Sequence, residues 1–209
     1  MVPDRSRFTP AERRIVERLS TPLAVQRWLS SLPYNWEATV RTFRGVVREK
    51  RANCLEAVLA AATILEAWGH APLVLDLESQ DGLDHVLYLV RERGRWGSIG
   101  KSRDPGLHGR KPVFRRVRDL VYSYVDPYVD GSGRLVGYAV FDLDALTRAD
   151  WRLAGTDVPS VERALVKGPH VPLRTSDRRY DRALKRYRAF RARHPDRPAD
   201  DYPDRHRWM

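Results

Sequence analysis

Residues 51–69 constrain the fold more than any other segment, because both ends carry strong helix signals. Asn53 is a favourable N-cap, and Glu56 stands at the capping-box position three residues later. Gly69 suits the left-handed conformation with which many helices end. The residues between these signals are largely apolar. The segment is therefore predicted to form one long helix.

Cys54, the only cysteine in the chain, falls in the first turn of this predicted helix. Unpaired backbone N–H groups and the positive end of the helix dipole favour a thiolate at such a position. The alternative is a small buried apolar side chain, since free cysteine is among the most buried residue types. The position therefore predicts either a reactive nucleophile or a core residue.

Composition excludes several classes of protein. The 209 residues are enough for one domain with its own core. No apolar run approaches the roughly 20 residues that a membrane-spanning helix needs, and the charged N-terminus lacks the apolar centre of a signal peptide. One cysteine can form neither an intramolecular disulfide nor a thiolate zinc cage, and no other metal-ligand spacing is present. We expect a cytoplasmic protein without a cofactor, a metal or membrane contact.

The formal net charge of +11 is concentrated toward the C-terminus. Residues 171–209 contain 12 Lys and Arg against 6 Asp, a net charge of +6. The segment is predicted to be a solvated basic tail, with a helical stripe at Tyr180, Leu184 and Tyr187. Residues 194–209 are predicted to be disordered or loosely docked. Contact with nucleic acid is the secondary interpretation, because no recognition motif accompanies the charge.

The remaining pattern predicts helices before the Cys54 helix and an antiparallel meander after it. Helices are expected to start after Thr9 and Thr21, each followed by proline, and a short helix is expected near 42–50. The later elements are predicted strands at 72–77, 84–90 and 95–100, a loop at 102–112, a helix at 113–124 and a strand at 135–143. The connections between the first three strands are too short for parallel crossovers.

His85 is the candidate base for a Cys54 nucleophile. It stands early in the second predicted strand, so it could approach the start of the helix if the meander packs there. His70 lies at the opposite end of the helix, whereas His108, in the long loop, remains an alternative. His170 and the two histidines after it fall in sequence that is predicted to be weakly ordered. A hydrogen-bonded structural histidine is the other interpretation of His85.

The order of these residues matches a known family. A cysteine opens an apolar helix that ends in Trp-Gly at position 69, one strand follows, the next strand carries His85, and a third contains Trp96. This order, over residues 48–99, resembles the transglutaminase-like branch of the papain-like cysteine-enzyme superfamily. Residues 34–101 are also similar to bacterial transglutaminase-like proteins.

The resemblance implies a fold, a domain organisation and two catalytic roles. It implies an α+β, papain/transglutaminase-like fold in which N-terminal helices and the cysteine-bearing helix pack on an antiparallel sheet, with additional C-terminal helices. One transglutaminase-like domain with an N-terminal helical extension would span residues 1–170, followed by the basic tail at 171–209. Cys54 would be the nucleophile, His85 the general base, and a protein or peptide the substrate.

The third catalytic position of the family has no counterpart here. The family places an aspartate shortly after a tryptophan such as Trp96, but residues 97–101 contain no carboxylate. Ser98 or Ser102 could accept the imidazole N–H, and Asp104 could reach back if the loop folds over the site. Without an acceptor the imidazole loses its orientation, and the reaction rate should fall.

The predicted function is cysteine-dependent acyl transfer. It would be either peptide or amide hydrolysis or transglutaminase-type transamidation, two reactions that share their first half. The alternative is a catalytically degenerate transglutaminase-like domain that binds a protein partner, which the missing carboxylate favours. The sequence leaves the oligomeric state open.

Overall fold

The chain folds into α-helices packed around one antiparallel sheet. A computed structural model describes residues 4–199, 202 and 205–209. The helices are α1 (Pro10–Arg18), α2 (Pro22–Ser31), α3 (Phe43–Glu49), α4 (Cys54–Glu66), α5 (Val117–Val125), α6 (Leu143–Leu146), α7 (Pro159–Lys167), α8 (Asp177–Arg193) and α9 (Arg205–Trp208). The strands are β1 (Leu73–Ser79), β2 (His85–Glu92), β3 (Arg95–Ile99), β4 (Arg110–Phe114), β5 (Leu135–Asp142) and β6 (Val171–Pro172). The α+β class and the β1–β2–β3 meander are confirmed, and the sheet order is β4-β3-β2-β1-β5-β6.

Helix α4 starts as its cap residues predict. The Asn53 side chain accepts from the Glu56 N–H at 3.0 Å, and the Glu56 carboxylate accepts from the Asn53 N–H at 2.9 Å. Gly69 follows the helix with a left-handed φ of +84°. Every residue from Leu55 to Glu66 is buried, since the helix packs on β2 and is covered by α1, α2 and α3. Helix α4 is the central element of the fold.

The sheet separates two apolar clusters, and alternation along each strand assigns its side chains to one or the other. Val74 on β1 and Val86 on β2 belong to the cluster on the α4 face. Leu75 and Leu87, the next residues along, belong to the cluster on the opposite face, which α5 covers. Because successive side chains in a strand point to opposite faces, the position of one residue fixes the face of its neighbours.

The region that follows the meander differs from its prediction. Residues 102–112 were expected to form a loop and 113–124 a helix, but β4 occupies Arg110–Phe114 and α5 starts only at Val117. A short 3₁₀ turn, Pro105–Leu107, precedes β4. The Gly and Pro content that favours a loop is compatible with this strand because β4 lies at the edge of the sheet, where a proline removes no essential ladder hydrogen bond.

Part of the predicted basic tail is built into the fold. Strand β6 pairs with β5, and Leu173 is buried in the α5-side cluster. Helix α8 buries Ala183 and Phe190, and beyond it Ala199 is also buried. The prediction of disorder over 194–209 falls partly on residues 200, 201, 203 and 204, which lie outside the described residues. No helix in the described part of the chain is both long and apolar enough to cross a membrane.

Candidate functional site

A pocket of about 150 Å³ at the start of β2 brings the sequence-predicted site residues together. Cys54, His85, Ser102 and Asp104 all line it. Side chains from α8 and from the segment that follows it complete the wall. The local sequence explains part of this arrangement, since Cys54 is the first residue of α4 and His85 the first residue of β2.

Cys54 is half-buried at the capped start of α4. Burial raises the pKa of its thiol above the usual value of 9.0, and the nearby Asp76 carboxylate raises it further. Backbone N–H groups of Val86, Leu55 and Cys54 itself pull the pKa down, but by less than burial raises it. The expectation that the helix start favours a thiolate is therefore corrected, because desolvation outweighs the helix terminus. The resting side chain is a neutral thiol.

His85 is buried on the face of the sheet opposite α4. It pairs across the sheet with Leu77, which belongs to the α5-side cluster. Its Nε2 lies 2.8 Å from the Leu107 carbonyl oxygen. A carbonyl oxygen only accepts, so Nε2 carries the proton and Nδ1 is the basic nitrogen. Burial lowers the pKa of His85 to about 4, and the ring is neutral near pH 7.

Leu107, rather than any residue considered from the sequence, supplies the acceptor that orients His85. The Ser102 hydroxyl accepts from the Asp104 N–H at 3.1 Å, and the Asp104 carboxylate lies 3.5 Å from the adjacent arginine. The Ser98 hydroxyl bonds with a tyrosine hydroxyl at 2.7 Å and accepts from the Arg110 N–H at 3.1 Å. A main-chain carbonyl thus accepts the imidazole N–H for which a carboxylate or hydroxyl was expected. Every residue type carries a carbonyl, so no sequence signal could have identified this acceptor.

Arg110 fixes the turn that presents the Leu107 carbonyl. Its guanidinium is buried and donates to the carbonyl oxygens of Gly106 at 2.5 Å and His108 at 2.7 Å, on either side of Leu107. The guanidinium carbon lies 3.9 Å from the ring centroid of Tyr124. Arginine suits this place because its planar fork serves several carbonyls at once and stacks on an aromatic face.

Cys54 and His85 share the pocket without a hydrogen bond between their side chains in the described part of the chain. Val86 faces α4, so His85 faces away from it, and the pocket reaches around the start of β2 to include both residues. Catalytic hydrogen bonds are often long in unliganded enzymes and shorten when substrate binds. In this structure Cys54 and His85 are therefore two neutral groups that line one pocket without a hydrogen bond between them.

Glu56 is a site-building residue that the sequence identified only as a helix cap. Its side chain is fully buried. Besides the Asn53 N–H, it accepts from the side chains of Asn35 at 3.0 Å and Thr39 at 2.7 Å and from the Arg41 N–H at 3.1 Å. These bonds tie the segment before α3 to the helix start, so one carboxylate fixes the backbone around Cys54.

Asp76 and His170 form a second buried pair that the sequence did not reveal. Asp76 lies on the α4 face of β1, and its Oδ2 is 3.2 Å from His170 Nε2. Its other carboxylate oxygen, Oδ1, is buried without a hydrogen-bond partner. Burial raises the pKa of Asp76 to about 6. His170, expected in weakly ordered sequence, is held in place through this contact and a second one, 2.9 Å from Nδ1 to the Gly168 carbonyl.

The pocket lining carries more negative than positive charge. The lining contains one arginine, Arg103, and four aspartates, Asp81, Asp84, Asp104 and Asp130. The carboxylate that raises the pKa of Cys54 is that of Asp76, which is not among these four. No group of three or more His, Cys, Asp or Glu side chains within the described ranges is arranged to hold a metal ion.

Comparison with known proteins adds no relative to this description. No protein-family model matches the chain, and no curated protein matches its sequence. The resemblance to transglutaminase-like enzymes thus depends on the sequence pattern within residues 34–101.

Proposed function

We propose that the chain is a transglutaminase-like, papain-type domain that carries out cysteine-dependent acyl transfer on a protein or peptide in the cytoplasm. Cys54 is the nucleophile and His85 the base. One observation supports this most: His85, with its Nε2 proton held by the Leu107 carbonyl, lines the same pocket as the thiol at the capped start of α4. Reducing conditions would keep Cys54 as the thiol that the reaction requires.

The reaction starts from two neutral groups. As the Cys54 sulfur attacks an amide carbonyl carbon, His85 Nδ1 takes the thiol proton, so bond formation and proton transfer coincide. The Cys54 backbone N–H, which has no intrahelical acceptor, is a donor for the developing oxyanion. The imidazolium then protonates the departing amine as the C–N bond breaks. Water or a second amine attacks the thioester, the C–S bond breaks, and the thiol is restored.

The thiol should react slowly with iodoacetamide at neutral pH. A raised pKa leaves less thiolate, so the second-order rate constant of alkylation should lie below that of the urea-unfolded chain. The rate constant should increase with pH through the alkaline range and show no separate rise at acidic pH. Mass spectrometry measures the alkylated fraction at each pH from about 5 to about 10. The signal reports on Cys54, because the chain has one cysteine. A plateau of fast alkylation below about pH 7 would instead show a thiolate–imidazolium pair and contradict the neutral resting state.

Acyl transfer should require His85 although alkaline alkylation does not. With p-nitrophenyl acetate, the native chain should form a thioester on Cys54, and His85→Ala should slow acylation by about 10²- to 10⁴-fold. The alkylation rate above the thiol pKa should change little, since the thiolate then forms without a base. His70→Ala is the matched control, because His70 lies beyond the other end of α4. Equal acylation of the two variants would remove His85 from the mechanism.

A catalytically degenerate binding domain is the second candidate. The observation that favours it is the absence of a hydrogen bond between Cys54 and His85 in the described part, with burial keeping both groups neutral. In that case no thioester forms on Cys54 even with the activated ester, and Cys54→Ser retains partner binding. Thioester formation that His85→Ala suppresses would reject this candidate.

A further inference from the structure

A wide groove lies between the three N-terminal helices. It has a volume of about 830 Å³ and is lined only by residues of α1, α2, α3 and their ends. Its floor is apolar and consists of Ile15, Trp28, Leu32, Val46 and Val47. Most of these side chains pack against the core on one side and leave the other side open. Its size, its concave shape and its half-buried apolar floor are those that ligand sites usually have.

The rim of the groove is basic. Arg14 and Arg18 stand four residues apart on the exposed side of α1, and Lys50 stands at the end of α3. No ion pair joins these three cations to a carboxylate among the described residues. Glu17 is the one acidic residue in the lining. Like charges at i and i+4 on a helix repel, so Arg14 and Arg18 do not stabilise each other.

We propose that this groove binds an acidic amphipathic helix of a protein partner. An α-helix with apolar side chains at i, i+3, i+4 and i+7 can place them on a floor formed between helices, which is a recurrent mode of peptide recognition. Carboxylates flanking that stripe would meet Arg14, Arg18 and Lys50. Charge complementarity across such a rim selects the partner and speeds association.

Charge also argues against occupants from this protein itself. A second copy would bring a chain of net charge +11 against a basic rim. The C-terminal segment 171–209 carries +6 and would be repelled in the same way. An acidic partner is the occupant that both the floor and the rim favour.

Binding of two designed peptides tests this proposal. One is a helical peptide of about 18 residues with a leucine stripe and glutamate flanks, and the other carries lysine in place of glutamate. In fluorescence anisotropy at physiological ionic strength, the acidic peptide should bind the full-length protein and the basic one should not. A scrambled acidic peptide of the same composition should bind at least about tenfold more weakly, because it lacks the apolar stripe.

Charge reversal on the protein provides the decisive comparison. Arg14→Glu with Arg18→Glu should weaken the acidic peptide about tenfold or more and create binding of the basic peptide. Arg178→Glu with Arg182→Glu is the matched control, since these exposed α8 residues have the same spacing and the same change in net charge. If both double substitutions weaken binding of the acidic peptide equally, the effect comes from the net charge of the protein and not from the groove, and the proposal is overturned. Binding of oleate or anionic vesicles, but of neither peptide, with the same dependence on Arg14 and Arg18 would also overturn it.

Discussion

Replacing Glu56 with alanine should lower the free energy of unfolding by about 3–5 kcal/mol. The buried carboxylate accepts hydrogen bonds from Asn35, Thr39, Arg41 and Asn53. Alanine has no acceptor in its side chain, so each of these four residues loses its bond to position 56. The loss exceeds that of a simple helix cap, which is about 1 kcal/mol, because the donors are buried. Urea unfolding followed by circular dichroism measures the change.

Two further variants separate the buried network from a general effect of removing a carboxylate. Glu56→Gln keeps the shape of the side chain but replaces one acceptor oxygen with an NH₂ group, which meets other donors in the network. The free energy of unfolding is therefore expected to fall by about 1–3 kcal/mol. Glu49→Ala removes an exposed carboxylate that pairs with the adjacent Arg48, and should change stability by less than about 0.5 kcal/mol. If Glu56→Ala costs no more than Glu49→Ala, the carboxylate does not organise the start of α4.

The same substitution links stability to the site. Glu56 holds the backbone on which the Cys54 thiol stands, so Glu56→Ala should also loosen the thiol's enclosure. Because burial is the largest cause of the raised pKa of Cys54, greater exposure should lower that pKa and speed alkylation near neutral pH. The variant would therefore gain reactivity toward iodoacetamide while losing stability.

The parts of the fold that the sequence predicts are those that depend on neighbouring residues. Asn53 with Glu56, and Thr9 with Glu12, form capping boxes, and the helices begin at those caps. The short connections between β1, β2 and β3 force an antiparallel meander. In each case the deciding contacts lie within a few residues, which is the range over which a single sequence carries reliable information.

The site is predicted less fully because its chemistry depends on distant contacts. The sequence predicts that Cys54 and His85 approach each other, and both line one pocket. The strand register, which the sequence does not reveal, places His85 on the sheet face away from α4. Burial of Cys54, which outweighs the effect of the helix terminus on its pKa, depends on tertiary packing and not on the residues next to it in sequence. The buried pair of Asp76 and His170 joins residues 94 positions apart.

The hydrogen-bond acceptor for His85 is also a distant contact that the sequence does not reveal. The sequence search looked for a carboxylate or hydroxyl after Trp96, and the structure supplies a backbone carbonyl from the turn before β4. The turn is held by a side chain, however, and that side chain can be changed. Arg110 therefore offers the route to test whether a main-chain acceptor orients the histidine.

Arg110→Lys should destabilise the protein by about 2–4 kcal/mol and raise the pKa of His85 from about 4 toward 6.5. Lysine keeps the positive charge but lacks the planar fork that spans the carbonyls of Gly106 and His108 while stacking on Tyr124. The turn should loosen and admit water to the imidazole. Since burial is the main cause of the low pKa, hydration raises it by more than loss of the Leu107 bond lowers it.

Measurement of the His85 ring by NMR titration distinguishes positioning from a purely structural role. Arg116→Lys is the matched control, because Arg116 is exposed, pairs with Asp119 at 2.8 Å and should leave both stability and the His85 titration unchanged. With Arg110→Lys, acylation of Cys54 should fall together with the rise in pKa, because the ring loses the acceptor that fixes its tautomer. A variant that loses stability while His85 still titrates near 4 would show that Arg110 supports the fold without orienting the base.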